Sequence, residues 1–465
     1  MRILVLLIAA LSALAADAKL TPEMQAVANH VSVDSLRGHL SFLASDLLEG
    51  RATPSRGLDL AAEYIAAEFR RAGLEPAGDD QYFQTATLKM REQNPNGFEM
   101  TVTAGGRTIR ILPEETSILT DKTIQLENVP IISVDSPPSA EQADGKVIVW
   151  MGRGRRPTVP SSAALMLVAS PEIHAMVSDP DAPPRAVFST IALGEAVDLL
   201  KKSKDARVTL HVEPSIDKTV KVRNVAGILR GSDPALRDTY VMLTAHYDHV
   251  GMRATGEDKI FNGANDDGSG TVSVMEIAGA LAALNPHPKR SILFVTFFGE
   301  EIGLVGSRYY GRHPLEPLAK TVADLNLEQI GRTDDSEGPQ VGTATVTGFN
   351  FSTLTRVLID AGKLTGVKVY KNEQNSDPYF ARSDNQALAD VGVPAHTLGV
   401  AFDFPDYHGV GDEWQKIDYQ NMAKVDRMVA LALMHLASDA PPPKWNESDP
   451  AAQKYADAAK KLNQP

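Results

Sequence analysis

The chain has 465 residues, of which 43% are hydrophobic and 23% are charged. This composition is typical of folded globular proteins, and the length exceeds the usual 100–200 residues of one domain, so we expect more than one domain. The net charge of −13 argues against nucleic acid as a partner, because binding to a phosphate backbone starts with a basic surface. The absence of cysteine excludes disulfides, thiolate nucleophiles and cysteine-bound metals, so histidine and carboxylate side chains must hold any metal.

Residues 1–18 are typical of a signal peptide that directs export. Arg2 provides the positive start, residues 3–15 form an apolar run, and Ala16 and Ala18 are among the small residues that suit cleavage. The run is shorter than the roughly 20 apolar residues that span a membrane. We therefore expect a periplasmic or secreted protein without a membrane span once the signal is removed.

The rest of the chain divides into four segments. Residues 19–125 contain two amphipathic helices within 33–73, which we expect to pack on a larger core. Residues 126–216 consist of short apolar runs broken by proline-rich stretches and predict a small inserted β-rich domain. Residues 217–440 form the main domain, and residues 441–465, which open with three prolines, predict a tail with a short solvated helix or a frayed end.

The main domain alternates strand and helix patterns. Continuous apolar runs at 240–244 and 291–298 predict buried strands, while 269–284 and 422–437 have helical periodicity. This alternation is typical of an α/β fold, with a mixed, mostly parallel sheet and helices on both faces.

Polar residues follow three apolar runs that predict strands, 240–244, 291–298 and 321–325, and ligands bind at the ends of such strands in α/β sheets. A glycine-rich loop at 262–270 and a later loop add further candidates. Together these places supply His246, Asp248, Asp266, Asp267, Glu300, Glu301, Glu328 and His408. Taken alone, the 262–270 loop is typical of a helix N-cap and His408 of a solvated loop histidine.

As a set, these residues suit a pair of divalent cations, because a carboxylate can bridge two ions about 3.5–4 Å apart. With nitrogen and oxygen ligands only, two zinc ions are favoured, and manganese or cobalt could substitute. A carboxylate near His246, such as Asp248, would fix the orientation of its ring. Glu300 and Glu301 are adjacent, so we expect one to bind metal and the other to take a proton.

At these residues the sequence resembles the co-catalytic di-zinc aminopeptidases, a family that includes glutamate carboxypeptidase and the transferrin receptor ectodomain. Residues 41–51 also resemble the opening helix and turn of exported members, and the insert at 126–216 takes the place of their protease-associated domain. The resemblance implies a zinc-exopeptidase fold whose peptidase domain comprises 19–125 and 217–440.

The resemblance also implies the role of each residue. His246, Asp266 and Glu328 would hold one zinc ion. Asp266, Glu301 and His408 would hold the other, so that Asp266 bridges the two. Glu300 would be the general base, and Asp248 would support catalysis beside His246. A cis peptide bond between Asp266 and Asp267 is expected as well.

The sequence departs from the family at two places. Glu328 stands where the aminopeptidases usually have aspartate, and Asn385 follows Ser383-Asp384 where relatives often have histidine. His249 matches a common family residue without a ligand role, and we interpret it as structural. By analogy, Tyr379 and Phe380 lie near the pocket, where aromatic residues serve either packing or substrate binding.

The expected function is an exported aminopeptidase that hydrolyses N-terminal residues from peptide substrates. Three alternatives stay open: a carboxypeptidase of the same fold, an aminoacyl cyclase, and a binding module without catalysis. A serine hydrolase or a zincin is disfavoured, because the sequence contains neither a Gly-x-Ser-x-Gly nor a His-Glu-x-x-His motif.

Overall fold

The structure, a computed structural model, describes residues 20–152, 161–171, 173, 175–182 and 189–464. The predicted signal peptide lies outside the described residues. None of the described helices is both long enough and apolar enough to cross a membrane.

The described secondary structure comprises helices and strands that are numbered here in chain order. The helices are α1 (Pro22–His30), α2 (Val33–Leu43), α3 (Arg56–Arg71), α4 (Ala140–Ala143), α5 (Glu195–Lys202), α6 (Gly270–Ala282), α7 (Val305–Arg312), α8 (Leu354–Thr365), α9 (Asn385–Asp390), α10 (Tyr419–Ser438) and α11 (Gln453–Leu462). The strands are β1 (Glu75–Pro76), β2 (Phe83–Glu92), β3 (Glu99–Ala104), β4 (Arg107–Ile111), β5 (Thr116–Ser117), β6 (Ile124–Val134), β7 (Val147–Trp150), β8 (Leu165–Ser170), β9 (Met176–Ser178), β10 (Ser189–Ala192), β11 (Arg207–Val212), β12 (Ile216–Leu229), β13 (Tyr240–His246), β14 (Ser291–Phe297), β15 (Thr321–Leu327), β16 (Asp334–Asp335), β17 (Gly338–Pro339), β18 (Thr343–Val346), β19 (Lys368–Tyr370) and β20 (Ala395–Gly399).

The main sheet has the strand order β19-β18-β20-β15-β13-β14-β12-β2-β9, with β1 paired to β12. Its centre is parallel, since β20, β15, β13 and β14 run in the same direction. Beyond β14 the pairs are antiparallel. The predicted α/β fold with a mixed sheet is confirmed, and the carboxyl ends of its central strands meet at one edge.

Hydrophobic clusters lie on both faces of this sheet. Val241 and Leu243 of β13 point into one cluster, which includes α6 and α10, whereas Met242 between them points into a second cluster with α9 and α11. Because both faces are covered, the central strands are apolar without interruption, as their sequences predicted. In the predicted tail, Tyr455 of α11 stacks on Trp445 with ring centroids 5.1 Å apart, so this segment is packed and neither solvated nor frayed.

A second sheet has the order β4-β3-β11-β6-β7-β8-β10-β5 and its own hydrophobic cluster. Unlike the predicted insert of 126–216, it takes in strands from residue 99 onward, because the β3–β4 hairpin pairs with β11. Strand β9 also differs from the prediction, since it joins the main sheet beside β2. This pairing covers the edge of a ten-residue strand that would otherwise be open.

Helix α3 provides a test of the packing around the main sheet. Phe69 is fully buried, and the centre of its ring lies 6.4 Å from the centre of the Phe294 ring in β14. We expect Phe69→Ala to lower the free energy of unfolding by about 3–5 kcal/mol, because it leaves a cavity. Leu60→Ala on the same helix is the control, since Leu60 is 41% exposed and should cost less than about 0.5 kcal/mol. If urea unfolding shows that the two variants lose the same free energy of unfolding, this packing is contradicted.

Candidate metal centre and active site

The carboxyl ends of three parallel strands bring the predicted site residues together. His246 is the last residue of β13, Glu300 and Glu301 follow β14, and Glu328 follows β15. Each of these strands is buried along its length, so polar side chains at their ends lie together at the rim of the core.

Asp266 lies between the two predicted groups of ligands. Its Oδ1 is 3.4 Å from His246 Nε2, and its Oδ2 is 3.3 Å from His408 Nε2. His246 Nε2 is also 3.4 Å from Glu328 Oε1, and His408 Nε2 is 3.0 Å from Glu301 Oε2. The two carboxylate oxygens of Asp266 therefore face two different groups, which is the arrangement that a bridging ligand requires.

The structure thus contains two clusters of possible metal ligands. One consists of His246, Asp266 and Glu328, and the other of His249, Asp266, Glu301 and His408; within each cluster the ligand atoms lie within 4.8 Å of one another. The five residues predicted as ligands all fall in these clusters. His249, which we interpreted as structural, lies in the second cluster with its Nδ1 2.7 Å from Glu301 Oε1.

Asp248 connects His246 with Glu300. Its carboxylate Oδ1 lies 3.5 Å from His246 Nδ1 and accepts a 3.1 Å hydrogen bond from the backbone N–H of Glu300. Thr53 donates to the other oxygen at 3.2 Å. His246 Nδ1 hydrogen-bonds to the backbone carbonyl of Asp248 at 3.1 Å, so Asp248 holds the ring through its main chain and the backbone beside the predicted base through its carboxylate.

The loop before α6 separates the roles of its two aspartates. Asp267 points away from the clusters and accepts hydrogen bonds from the backbone N–H groups of Gly270 and Gln329. Asp412, which sequence reasoning missed, accepts from the backbone of Asn265 and Asp266 at 2.9–3.0 Å. The Asp266–Asp267 peptide bond is cis, as the resemblance implied.

The longer side chain of Glu328 is held by Ser383. The Ser383 hydroxyl donates to Glu328 Oε2 at 2.5 Å, which leaves Oε1 on the side of His246. Asn385 lies beneath the site, fully buried, where it donates to the carbonyl of Phe380 and accepts from Thr397. Its amide therefore stabilises the pocket wall from behind.

Arg51 holds the loops that carry the site residues, and no sequence signal beyond the resemblance of residues 41–51 pointed to it. Its guanidinium is fully buried and donates to four backbone carbonyls, at 2.5–2.9 Å, in three separate segments of chain. Two of these carbonyls, those of Asn262 and Gly263, precede Asp266, and a third belongs to Tyr247. Its positive charge also lies near the buried acids of the site.

The electrostatics distinguish the two adjacent glutamates. Burial raises the pKa of Glu300 well above its ordinary value; His246 opposes this shift, and Glu328 and Glu301 add to it. Burial and Asp266 also act to raise the pKa of Glu301, but His408 and His249 prevail and lower it to about 2. Glu301 is therefore a permanent anion, suited to a cation, whereas Glu300 is suited to holding a proton.

A pocket opens beside the two clusters. Its wall contains the four acids Asp266, Glu300, Glu301 and Glu328, the aromatic residues Tyr379, Phe402 and Tyr407, the polar residues Gln329, Thr347, Ser383 and Thr397, and Arg382. Of the two aromatic residues singled out in the sequence, Tyr379 lines the pocket. Phe380 is buried in the core, where it contacts Phe351 and Tyr455, so it serves packing.

Comparison with known proteins identifies the family. Residues 224–433 match the sequence model of peptidase family M28, and this segment contains every predicted site residue. This part of the chain is therefore similar to the M28 peptidases. Aminopeptidase YwaD of Bacillus subtilis is 35% identical over 139 residues, which cover 30% of this chain and 27% of that protein. A probable glutamate carboxypeptidase of Zea mays, VP8, is 30% identical over 213 residues, which cover 42% of this chain and 27% of that protein.

Two solved structures resemble this chain over most of its length. A zinc aminopeptidase from Bacillus subtilis has a TM-score of 0.62, and an aminopeptidase from Aneurinibacillus has a TM-score of 0.61. Both are 18% identical, and each comparison covers 90% of this chain and 97% of the other. At this identity the likeness establishes the fold. The chain spans about 27–30% of the length of the first curated relatives it matches.

The donor set fits zinc. Each cluster offers imidazole nitrogen together with carboxylate oxygen from buried or half-buried side chains, and these are the ligand types of zinc sites without cysteine. The M28 family and the relatives named as zinc enzymes agree with this chemistry. His246, Asp266 and Glu328 on one side, and Asp266, Glu301 and His408 on the other, are the residues that would hold it.

Arg51→Lys tests whether the buried guanidinium holds the site loops. Lysine cannot reach four carbonyls in a planar fork, and each buried carbonyl left unpaired costs about 1–3 kcal/mol. We expect the free energy of unfolding of the zinc-free protein to fall by about 3 kcal/mol, measured in urea. Arg37→Lys on α2 is the control, because Arg37 is half-exposed and should change stability by less than about 0.5 kcal/mol. A similar small effect of both substitutions would refute the role of Arg51.

Proposed function

We propose that this protein is a di-zinc aminopeptidase that hydrolyses N-terminal residues from peptides. The observation that carries the proposal is the pair of clusters joined by Asp266, with Glu300 on the wall of the adjacent pocket. The sequence of residues 1–18 supports the further proposal that the enzyme is exported to the periplasm or the medium.

Glu300 supplies the proton transfer in this proposal. When bound, zinc lowers the pKa of water and polarises the scissile carbonyl. The carboxylate of Glu300 takes a proton from the attacking water and later gives it to the leaving amine. Burial supports this role, since it makes Glu300 a stronger base than an exposed glutamate. The bond from its backbone N–H to Asp248 holds it in place.

The acidic pocket supports cleavage at the N-terminus. The α-ammonium group of a peptide is a cation, and four carboxylates line the pocket. A blocked N-terminus would lose this interaction. We expect the free amine to be required, and the polar side chains of Thr347 and Thr397 to lie near the first residue.

A carboxypeptidase is the second candidate, favoured by the names of the plant relatives and by the presence of Arg382 on the pocket wall. The zinc-loaded protein should be assayed with two sets of substrates. The first is a panel of aminoacyl anilides, and the second is a panel of peptides that begin with the same residues in N-acetylated form and end in a free carboxylate. We expect the protein to cleave the anilides. Chelation of the metal should abolish this activity, and added zinc should restore it. Cleavage of the N-acetylated peptides alone would establish the carboxypeptidase. Zinc binding without cleavage of either set would establish a binding module.

Glu300→Gln separates proton transfer from metal binding. We expect kcat on an aminoacyl anilide to fall by about 100- to 10,000-fold, which is the usual contribution of a general base. Calorimetry should still detect two zinc ions per chain, because Glu300 belongs to neither cluster. Glu413→Gln, a substitution at a residue outside the pocket wall, serves as the control. Near-normal turnover of Glu300→Gln would refute its assignment as the base.

A further inference from the structure

The pocket wall contains one cation among its described residues. Arg382 lies beside Ser383, and the other ionisable groups that could carry charge near neutral pH are Asp266, Glu300, Glu301 and Glu328. Bound zinc would offset most of this negative charge, and the carboxylate of Glu300, which belongs to neither cluster, would remain to face an ammonium group. The positive charge of Arg382 would then be left over at the exposed side of the pocket.

Arg382 is held in place without being neutralised. Its guanidinium carbon lies 4.1 Å from the centre of the Tyr379 ring, and Tyr379 donates its hydroxyl hydrogen to Asp403 at 3.1 Å. Asp403 is fixed in turn, since its backbone N–H donates to Asp335 at 3.0 Å. The aromatic face and a side-chain hydrogen bond with Tyr379 orient the guanidinium, and its remaining N–H donors stay available.

Neighbouring cations around the site differ from Arg382 in this respect. Arg332 pairs with Asp334 and Asp406, and Lys371 pairs with Glu373 and Asp377. Within the described part of the chain, Arg382 has no carboxylate within 4.0 Å and is exposed. An oriented guanidinium without a carboxylate partner on a pocket wall is suited to an anionic group of the substrate, because it can form two parallel hydrogen bonds with a carboxylate.

We propose that Arg382 binds the C-terminal carboxylate of dipeptide substrates. This inference rests on the proposed function, since the substrate's ammonium group must lie at the acidic end of the pocket. A dipeptide is the peptide whose two charged ends lie closest together, about 7 Å apart when extended. Its ammonium group would face the acids and its carboxylate would face Arg382, so the enzyme would favour dipeptides over longer or amidated peptides.

The test compares zinc-loaded protein on leucylglycine and leucylglycine amide, which differ only in the terminal charge. We expect kcat/KM to be about tenfold higher for the free acid, mainly through a lower KM, as for a charge-assisted hydrogen bond at a partly exposed site. In Arg382→Gln the ratio of kcat/KM between the free acid and the amide should fall to about one. In Arg382→Lys part of the preference for the free acid should remain. Arg356→Gln, at an exposed position on α8 outside this pocket, should keep the wild-type ratio.

Other outcomes would overturn the inference. A wild-type ratio near one, or a high ratio that persists in Arg382→Gln, would show that Arg382 does not bind the terminal carboxylate. A preference for leucylaspartic acid α-amide, whose side-chain carboxylate is free, over leucylasparagine amide, without a preference for leucylglycine over its amide, would assign Arg382 to an acidic side chain instead. If leucyl anilide is cleaved but the kcat/KM ratios differ from those expected, the aminopeptidase proposal stands and the proposal for Arg382 fails. If neither the anilide nor the peptides are cleaved, both proposals fail.

Discussion

Carboxylates buried close together at one edge of the main sheet are the constraint on which the rest of the structure depends. Asp248, Asp266 and Asp412 are fully or almost fully buried, and Glu301 and Glu328 lie beside them. Like charges at such distances repel strongly in a medium of low dielectric, so positive charge must be supplied. The buried guanidinium of Arg51 supplies part of it, and cations bound at the two histidine-containing clusters would supply the rest.

The fold meets this constraint by dividing the acids between two tasks. Asp266, Glu301 and Glu328 form the clusters. Asp412 accepts hydrogen bonds from the backbone of the loop that carries Asp266, and Asp267 accepts from the backbone N–H groups of Gly270 and Gln329. Arg51 joins three segments of chain through their carbonyls. The ligands are therefore positioned by loops that are themselves fixed by buried polar contacts, and the geometry of the site follows from the packing of the fold.

The sequence predicted the α/β fold, and it predicted the five residues that the structure places in the two clusters. The reasons can be identified. The runs before His246, Glu300 and Glu328 are long and apolar, so the strands and the residues at their ends could be located. The start of the second sheet could not, because β3 and β4 are short strands that gain their place by pairing with β11 more than one hundred residues later. Periodicity within one segment carries no information about such a distant partner.

The sequence also left the second set of site contacts undetermined. His249 was interpreted as structural, yet it lies 2.7 Å from Glu301, and its position depends on how the chain turns after β13. Arg51, Ser383 and Asp412 act through contacts with residues 55 to 212 positions away. These contacts exist only in the folded chain, so residue type and spacing alone do not predict them.

The central claim is that Asp266 joins two metal sites. Crystals of the zinc-loaded protein, measured with X-rays on either side of the zinc absorption edge, test it most directly. The account predicts two anomalous peaks about 3.5–4 Å apart, both beside Asp266, one next to His246 and Glu328 and the other next to Glu301 and His408. A single peak, or peaks away from Asp266, would contradict it.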